Sequence, residues 1–131
     1  MPDARPDVAT IADRVRGALE STDLTAFSDL LDPAVRWGAP DDPTPSCQDR
    51  RQVLDWYARG REAGVRARVT EVVAHGDKIL VGLTVTGRLG AESNEGAVAR
   101  WQVLTVAEGL IVDIRAFDDR RDATARVGTP G

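Results

Sequence analysis

The sequence predicts an α+β domain in which helices come first and an antiparallel sheet follows. Two observations carry this reading. Val8, Ile11, Ala12, Val15, Ala18 and Leu19 recur at helical spacing near the start of the chain. From Arg66 to Asp119 the pattern changes to alternation with a period of two, broken only by short Gly-containing links. Helices in one block and strands in another make an α+β arrangement rather than a parallel α/β one. At 131 residues and 14.1 kDa the chain is a single domain. Its ordered core is expected over about 7–120, with a mobile tail over 121–131 that forms at most a brief helix.

The first helix is expected from about Asp7 to Glu20. Thr22 or Asp23 then caps a shorter helix carrying Leu24, Phe27, Leu30 and Leu31, which Pro33 closes. Val35-Arg36-Trp37 reads as a short strand. The segment Gly38 to Ser46 holds Pro40, Pro43 and Pro45 and reads as a loop. Asp49 is an N-cap, with Gln52 three residues on, an Asp variant of the capping box. The third helix runs to about Glu62 and stops at Gly64.

Strands are expected over Arg66 to Ala74, Ile79 to Thr86, Ala97 to Val106 and Leu110 to Phe117. Gly76-Asp77 and Glu108-Gly109 are the tight turns, and Gly87 to Gly96 is a longer polar hairpin loop. Ile79, Val81, Leu83 and Val85 form one face of their strand, and Leu80, Gly82, Thr84 and Thr86 the other.

Composition removes several function classes. The net charge is −4 with no block of five like charges, which argues against a nucleic-acid partner. The apolar runs are too short to span a bilayer, and MPDARPDVAT lacks the apolar segment of a signal peptide. A lone cysteine, Cys47, excludes an internal disulfide and suits a reducing compartment, so a cytoplasmic protein is expected. One histidine, His75, at a hairpin turn and one cysteine give no metal cluster of recognisable spacing, and no Gly-rich phosphate loop is present. Neither a metal nor a cofactor is expected.

The residues that draw attention are aromatic and charged groups within apolar strands. Trp37, Trp56, Tyr57, Trp101 and Phe117 either fill the core or line an aromatic-walled cavity for a small apolar or aromatic molecule. Arg100 and Gln102 share a strand face, either as the polar floor of that cavity or on an outward face. Trp101 points the opposite way, so Arg100 and Trp101 cannot both look inward from a regular strand. Asp118 and Asp119 end the last strand. They are either acid/base groups, with Arg100 as electrostatic partner, or caps for the following turn or helix.

The chain resembles the NTF2-like superfamily, in its SnoaL-like branch of small bacterial polyketide-cyclase-like proteins. The resemblance covers about Val8 to Arg120. It rests on Leu30-Leu31-Asp32-Pro33 with Val35-Arg36-Trp37, on the helix opening Cys47-Gln48-Asp49-Arg50-Arg51-Gln52-Val53, and on Gly109-Leu110-Ile111-Val112-Asp113-Ile114 with Phe117-Asp118. It implies a cone: three N-terminal helices packed on the concave face of a strongly bent antiparallel sheet, enclosing an apolar pocket, usually in a homodimer.

The superfamily includes isomerases, cyclases, dehydratases, epoxide hydrolases and non-catalytic binders, so fold alone does not choose among them. Its epoxide hydrolases pair an Arg-x-Asp strand with a later Asp, whereas this chain has Arg100-x-Gln102. Its ketosteroid isomerases use a Tyr on the first helix and an Asp after the first strand. Here the first helix has no Tyr, and Asp41 and Asp42 fall in the Pro-rich loop. In polyketide-cyclase relatives a late-strand Asp acts as acid and base, the part Asp118 would play. Three readings stand: a small-molecule-binding module, a cofactor-independent acid/base enzyme, and a dimeric interaction scaffold without ligand.

Overall fold

A curved five-stranded sheet with the order β1-β5-β4-β3-β2 organises the chain. The computed structural model describes residues 7–21, 24–39, 47–62, 64, 66–86 and 98–127. The elements run α1 (Val8–Ser21), α2 (Leu24–Ser28), β1 (Leu31–Gly38), α3 (Arg50–Glu62), β2 (Arg66–His75), β3 (Lys78–Thr86), β4 (Val98–Ala107), β5 (Leu110–Phe117) and α4 (Arg120–Val127). The expected caps at Thr22 and Asp23, most of the Pro-rich loop and the hairpin loop after Thr86 lie outside the described residues.

Helix α1 starts where Asp7 Oδ1 accepts the Thr10 amide at 2.8 Å. That bond, the largest influence on it, holds the Asp7 carboxyl below the usual carboxylate range. Ile11, Ala12, Val15 and Ala18 form the buried stripe, and the helix lies on β2 and β3. Helix α3 is capped by Asp49, whose Oδ1 accepts the Gln52 amide at 2.8 Å. Gln52 reaches back one residue further than the expected box, its Oε1 accepting the Gln48 amide at 2.7 Å.

The second helix ends earlier than expected. Pro33 does not close a helix but lies inside β1, with Leu31 already in the strand. Proline lacks a donor for a central ladder, yet β1 is an edge strand, where that loss is tolerated. The pairing of β1 with β5 is parallel, and its register shifts between Leu31 and Arg36.

Three antiparallel pairings join β2 through β5. The β4–β5 turn has Glu108 at φ 53° and Gly109 at φ 82°. Two positive φ values in a two-residue link suit the right-handed twist of the flanking strands. Register shifts between Val69 and Glu71 in β2, and opposite the Thr105–Val106 step of β4, bend the ladder.

The register settles the faces. Ile79, Val81, Leu83, Val85, Leu104, Val106, Ile111 and Ile114 join the large core beneath α1, α2 and α3. Leu80, Val103 and Phe117 face the other way and form a second cluster with Ala123 of α4. The expectation of three N-terminal helices on the sheet is therefore incomplete. Among the described residues there are four helices, β1 separates α2 from α3, and α4 covers part of the far face. The tail that composition alone left mobile is helical through Val127, and Ala123 is fully buried. Arg120 fastens α4 to β2 through Glu71, with Nε and Nη2 donating at 2.7 and 3.1 Å. Those bonds, above all, lower the Glu71 pKa.

Gly82 is the close-packed point of the far face. A Cβ there would lie 2.7 Å from Thr70 Oγ1, 2.9 Å from Glu71 Cγ and 3.3 Å from Trp101 Nε1. The β2 bulge and the Trp101 indole occupy the space that any larger residue would need.

Candidate functional site

The helix side of the sheet gathers an aromatic cluster around one buried polar pair. Trp37 comes from the end of β1, where it exchanges two backbone hydrogen bonds with Cys47 at 2.9 and 3.0 Å. That bridge brings the start of α3 up to the sheet and sets Trp56 against Trp37, ring centroids 4.4 Å apart. Tyr57, the next residue on α3, meets Trp56 edge-on at 5.5 Å and Phe27 of α2 edge-on at 5.4 Å. Trp56 is 43% exposed, so the cluster opens to solvent on its side.

Gln102 of β4 is only 6% exposed, the one buried polar or charged residue among those described. Its Nε2 donates to Tyr57 Oη at 3.1 Å. The bond crosses from sheet to helix and sets the rotamers of both side chains. Burial is the largest influence on the Tyr57 hydroxyl and pushes its pKa up to about 12. Donors from Gln102 and Trp37 act against that rise, and Cys47 adds slightly to it. Tyr57 keeps some exposed ring surface, but its hydroxyl end is enclosed. At neutral pH it is an O–H donor. The Trp37 indole, although near enough to influence that hydroxyl, makes no well-formed hydrogen bond, and its Nε1 is buried without a partner among the described residues. Such orphans are rare in folded proteins.

Ala116 completes this surface. It pairs with Gln102 in the ladder and alternates with Phe117, so it shares the helix-side face with Ile114, the residue opposite Trp37. Unlike Ile114 it is partly exposed. It puts a small side chain between Gln102 and the end of β1.

The other residues singled out in the sequence fall elsewhere. Trp101 and Phe117 pair across β4 and β5 on the opposite face, beneath α4. They therefore stand apart from Trp37, Trp56 and Tyr57, and the reason is strand parity. Arg100 shares the face of Gln102 but sits at its rim, and its Nε lies 3.6 Å from Asp118 Oδ1. The two residues expected to work together do meet, with side chains 38% and 88% exposed. An ion pair at that exposure is worth little, and Asp118 has no enclosed surroundings in which to exchange protons. Asp119 caps α4, its Oδ1 accepting the amides of Arg121 at 2.7 Å and Asp122 at 3.4 Å.

Phe27 and Ala116 belong to the site although neither stood out in the sequence. Phe27 looked like any apolar helix residue. Ala116 becomes visible only once the β1–β5–β4 register is known. A separate open depression of about 400 Å³ runs along the first half of α3, lined by Pro33, Asp49, Arg50, Arg51, Leu54 and Asp55. Its two Asp and two Arg cancel in charge, and it includes none of the aromatic residues. Among the described residues no group of three His, Cys, Asp or Glu is placed to hold a metal ion, and no helix is long and apolar enough to cross a membrane.

Comparison with known proteins places this architecture. A candidate polyketide cyclase from Sinorhizobium meliloti superposes with a TM-score of 0.63 at 24% identity, covering 82% of this chain and 94% of its own. A candidate ketosteroid isomerase from Kribbella flavida gives 0.66 at 19% identity, covering 82% of this chain and 74% of its own. An NTF2-like protein of unknown function from Cytophaga hutchinsonii gives 0.65 at 11% identity, covering 95% and 99%. At these identities the likeness is one of fold. No curated protein sequence matches the chain. The sequence model of the SnoaL-like domain family matches residues 12–114, from the first buried turn of α1 to the buried core of β5, and the chain belongs to that family.

Proposed function

We propose that this protein binds a small, largely apolar or aromatic molecule on the helix side of its sheet. The supporting observation is the aromatic cluster of Trp37, Trp56 and Tyr57, open at Trp56 and built around the buried Gln102–Tyr57 hydrogen bond. Large apolar walls with few, well-placed polar groups are the usual chemistry of small-molecule sites. Arg100 stands at the rim. Trp101 and Phe117 serve the site only by holding β4 and β5 from behind. Two of the compared structures carry names drawn from polyketide cyclisation and ketosteroid isomerisation, both chemistries of small, mostly apolar molecules.

A cofactor-independent acid/base enzyme using Asp118 and Arg100 is the second reading, supported by their contact at 3.6 Å. Solvent exposure of Asp118 favours binding over proton transfer. We further take the protein to be cytoplasmic and a homodimer through the part of the far sheet face that α4 leaves open, where Val73 is 46% exposed.

The test is tryptophan fluorescence during titration with bicyclic hydrocarbons, on the native protein and two variants. Trp56→Ala is expected to weaken binding about tenfold, and Trp101→Phe to leave it unchanged. Equal loss in both variants, or loss only in Trp101→Phe, overturns this placement of the site.

A further inference from the structure

We infer that Trp37 Nε1–H and Tyr57 Oη–H together form a two-donor cradle for one uncharged oxygen of the ligand, a ketone, ester or amide carbonyl. The inference rests on the binding reading above and gives that site its chemical selectivity.

The argument starts from hydrogen-bond accounting. Gln102 Nε2 donates to Tyr57 Oη at 3.1 Å, so the phenol oxygen is the acceptor in that bond. Its own proton has no acceptor among the described residues. The Trp37 indole N–H, buried and near enough to act on the same hydroxyl, makes no well-formed hydrogen bond to it or to any other described residue. Two neighbouring donors without acceptors, in a place water reaches poorly, are costly to leave unmet. An oxygen with two lone pairs satisfies both at once. We place that oxygen in front of Ala116, whose methyl group is the small side chain opposite Gln102 on the strand that joins β4 to β1.

Charge decides between a carbonyl and a carboxylate. The Gln102–Tyr57 pair is neutral, and the surrounding rings of Trp37, Trp56 and Phe27 carry no charge. The nearest described cation on that strand face, Arg100, is at the rim and engaged with Asp118. The burial that keeps the Tyr57 hydroxyl protonated disfavours any other anion in the same place. Gln102 is a positioning residue in this scheme: by donating to Oη it turns the Tyr57 proton away from itself and toward the ligand.

The test uses three probes built on one bicyclic frame: 2-tetralone, tetralin and tetralin-2-carboxylate. Protein with ¹⁵N-labelled indoles gives one N–H signal for each of its three tryptophans, and Trp37→Phe identifies that of Trp37. The ketone is expected to bind about tenfold more tightly than the other two and to move the Trp37 signal downfield. In Tyr57→Phe the ratio of its affinity to that of tetralin shrinks severalfold. If that variant does not fold, the native-protein comparison decides alone. Tetralin binding as tightly as the ketone overturns the cradle and leaves the binding site standing. So does the ketone binding with an unmoved Trp37 signal, and so does preference for the carboxylate. Failure of all three probes to bind up to their solubility limits overturns the cradle and the binding reading together.

Discussion

Removing both partners of the Gln102–Tyr57 hydrogen bond should cost less than the two single losses added together. In Tyr57→Phe the ring contacts with Phe27 at 5.4 Å and Trp56 at 5.5 Å survive. What changes is that the Gln102 amide, in a residue 6% exposed, loses its acceptor. An unmet buried donor costs about 1–3 kcal/mol. For a domain of 131 residues each kcal/mol corresponds to a melting shift of roughly 3–5 °C. Gln102→Leu removes the donor, leaves the hydroxyl enclosed, and is expected to cost about 1–2 kcal/mol. The double variant replaces both partners by apolar groups of similar shape, so its cost should fall below the sum by about 1–2 kcal/mol. Urea unfolding of the four proteins at constant m-value measures this coupling directly. Additivity within about 0.5 kcal/mol would refute the reasoning, because it would mean the two side chains do not depend on each other in the native state.

Three further outcomes follow from other parts of the structure. Tyr57 is the sole tyrosine, so tyrosinate absorbance reports on it alone; its titration should be delayed from the ordinary value near 10 to about 12. Because the folded pKa is the higher, the associated stability is complete below pH 10 and falls by roughly 2–3 kcal/mol between pH 10 and 12, so a titration at the ordinary value would contradict the burial. Gly82→Ala should destabilise by about 1–3 kcal/mol, read by thermal melting, since its Cβ would meet Thr70 and Glu71 inside 3 Å. Glu71 has a lowered folded pKa, so its contribution is present above the ordinary value of 4.5 and is lost as pH falls through the folded one. Glu71→Gln should cost no more than about 1 kcal/mol at neutral pH, given the exposure of the pair, and should abolish that acid-side loss of stability in thermal melts.

Much of the fold is legible in the sequence where local chemistry dictates it. The alternation from Ile79 to Thr86 needs only period two, the Glu108-Gly109 turn needs only its glycine, and Asp49 announces a helix start on its own. Elements defined by distant partners are not legible in this way. Pro33 reads as a terminator because its tolerance in β1 depends on an edge position that comes from parallel pairing with β5, some 80 residues later. Helix α4 reads as a polar tail because few of its residues attach it, chiefly the buried Ala123 with Val127 beside it and Arg120 reaching Glu71. The site shows the same division. Aromatic and polar candidates are visible as residue types, but parity alone cannot say which face the helices cover. Placing Gln102 inward assigns Tyr57 its partner, and it sends Trp101 to the other side of the sheet.

Pro33 also matters to the behaviour of many molecules together. An open sheet offers two rows of unpaired backbone groups to any neighbouring chain, the usual starting point for strand-to-strand aggregation. Here one outer row belongs to β1, where a residue without an N–H and a register shift interrupt the ladder. The opposite outer row belongs to β2, which carries Arg66 and Arg68 and is kinked by its bulge near Thr70. The proline that obscures a strand in the sequence thus helps keep crowded copies of the protein from adding to one another's sheets.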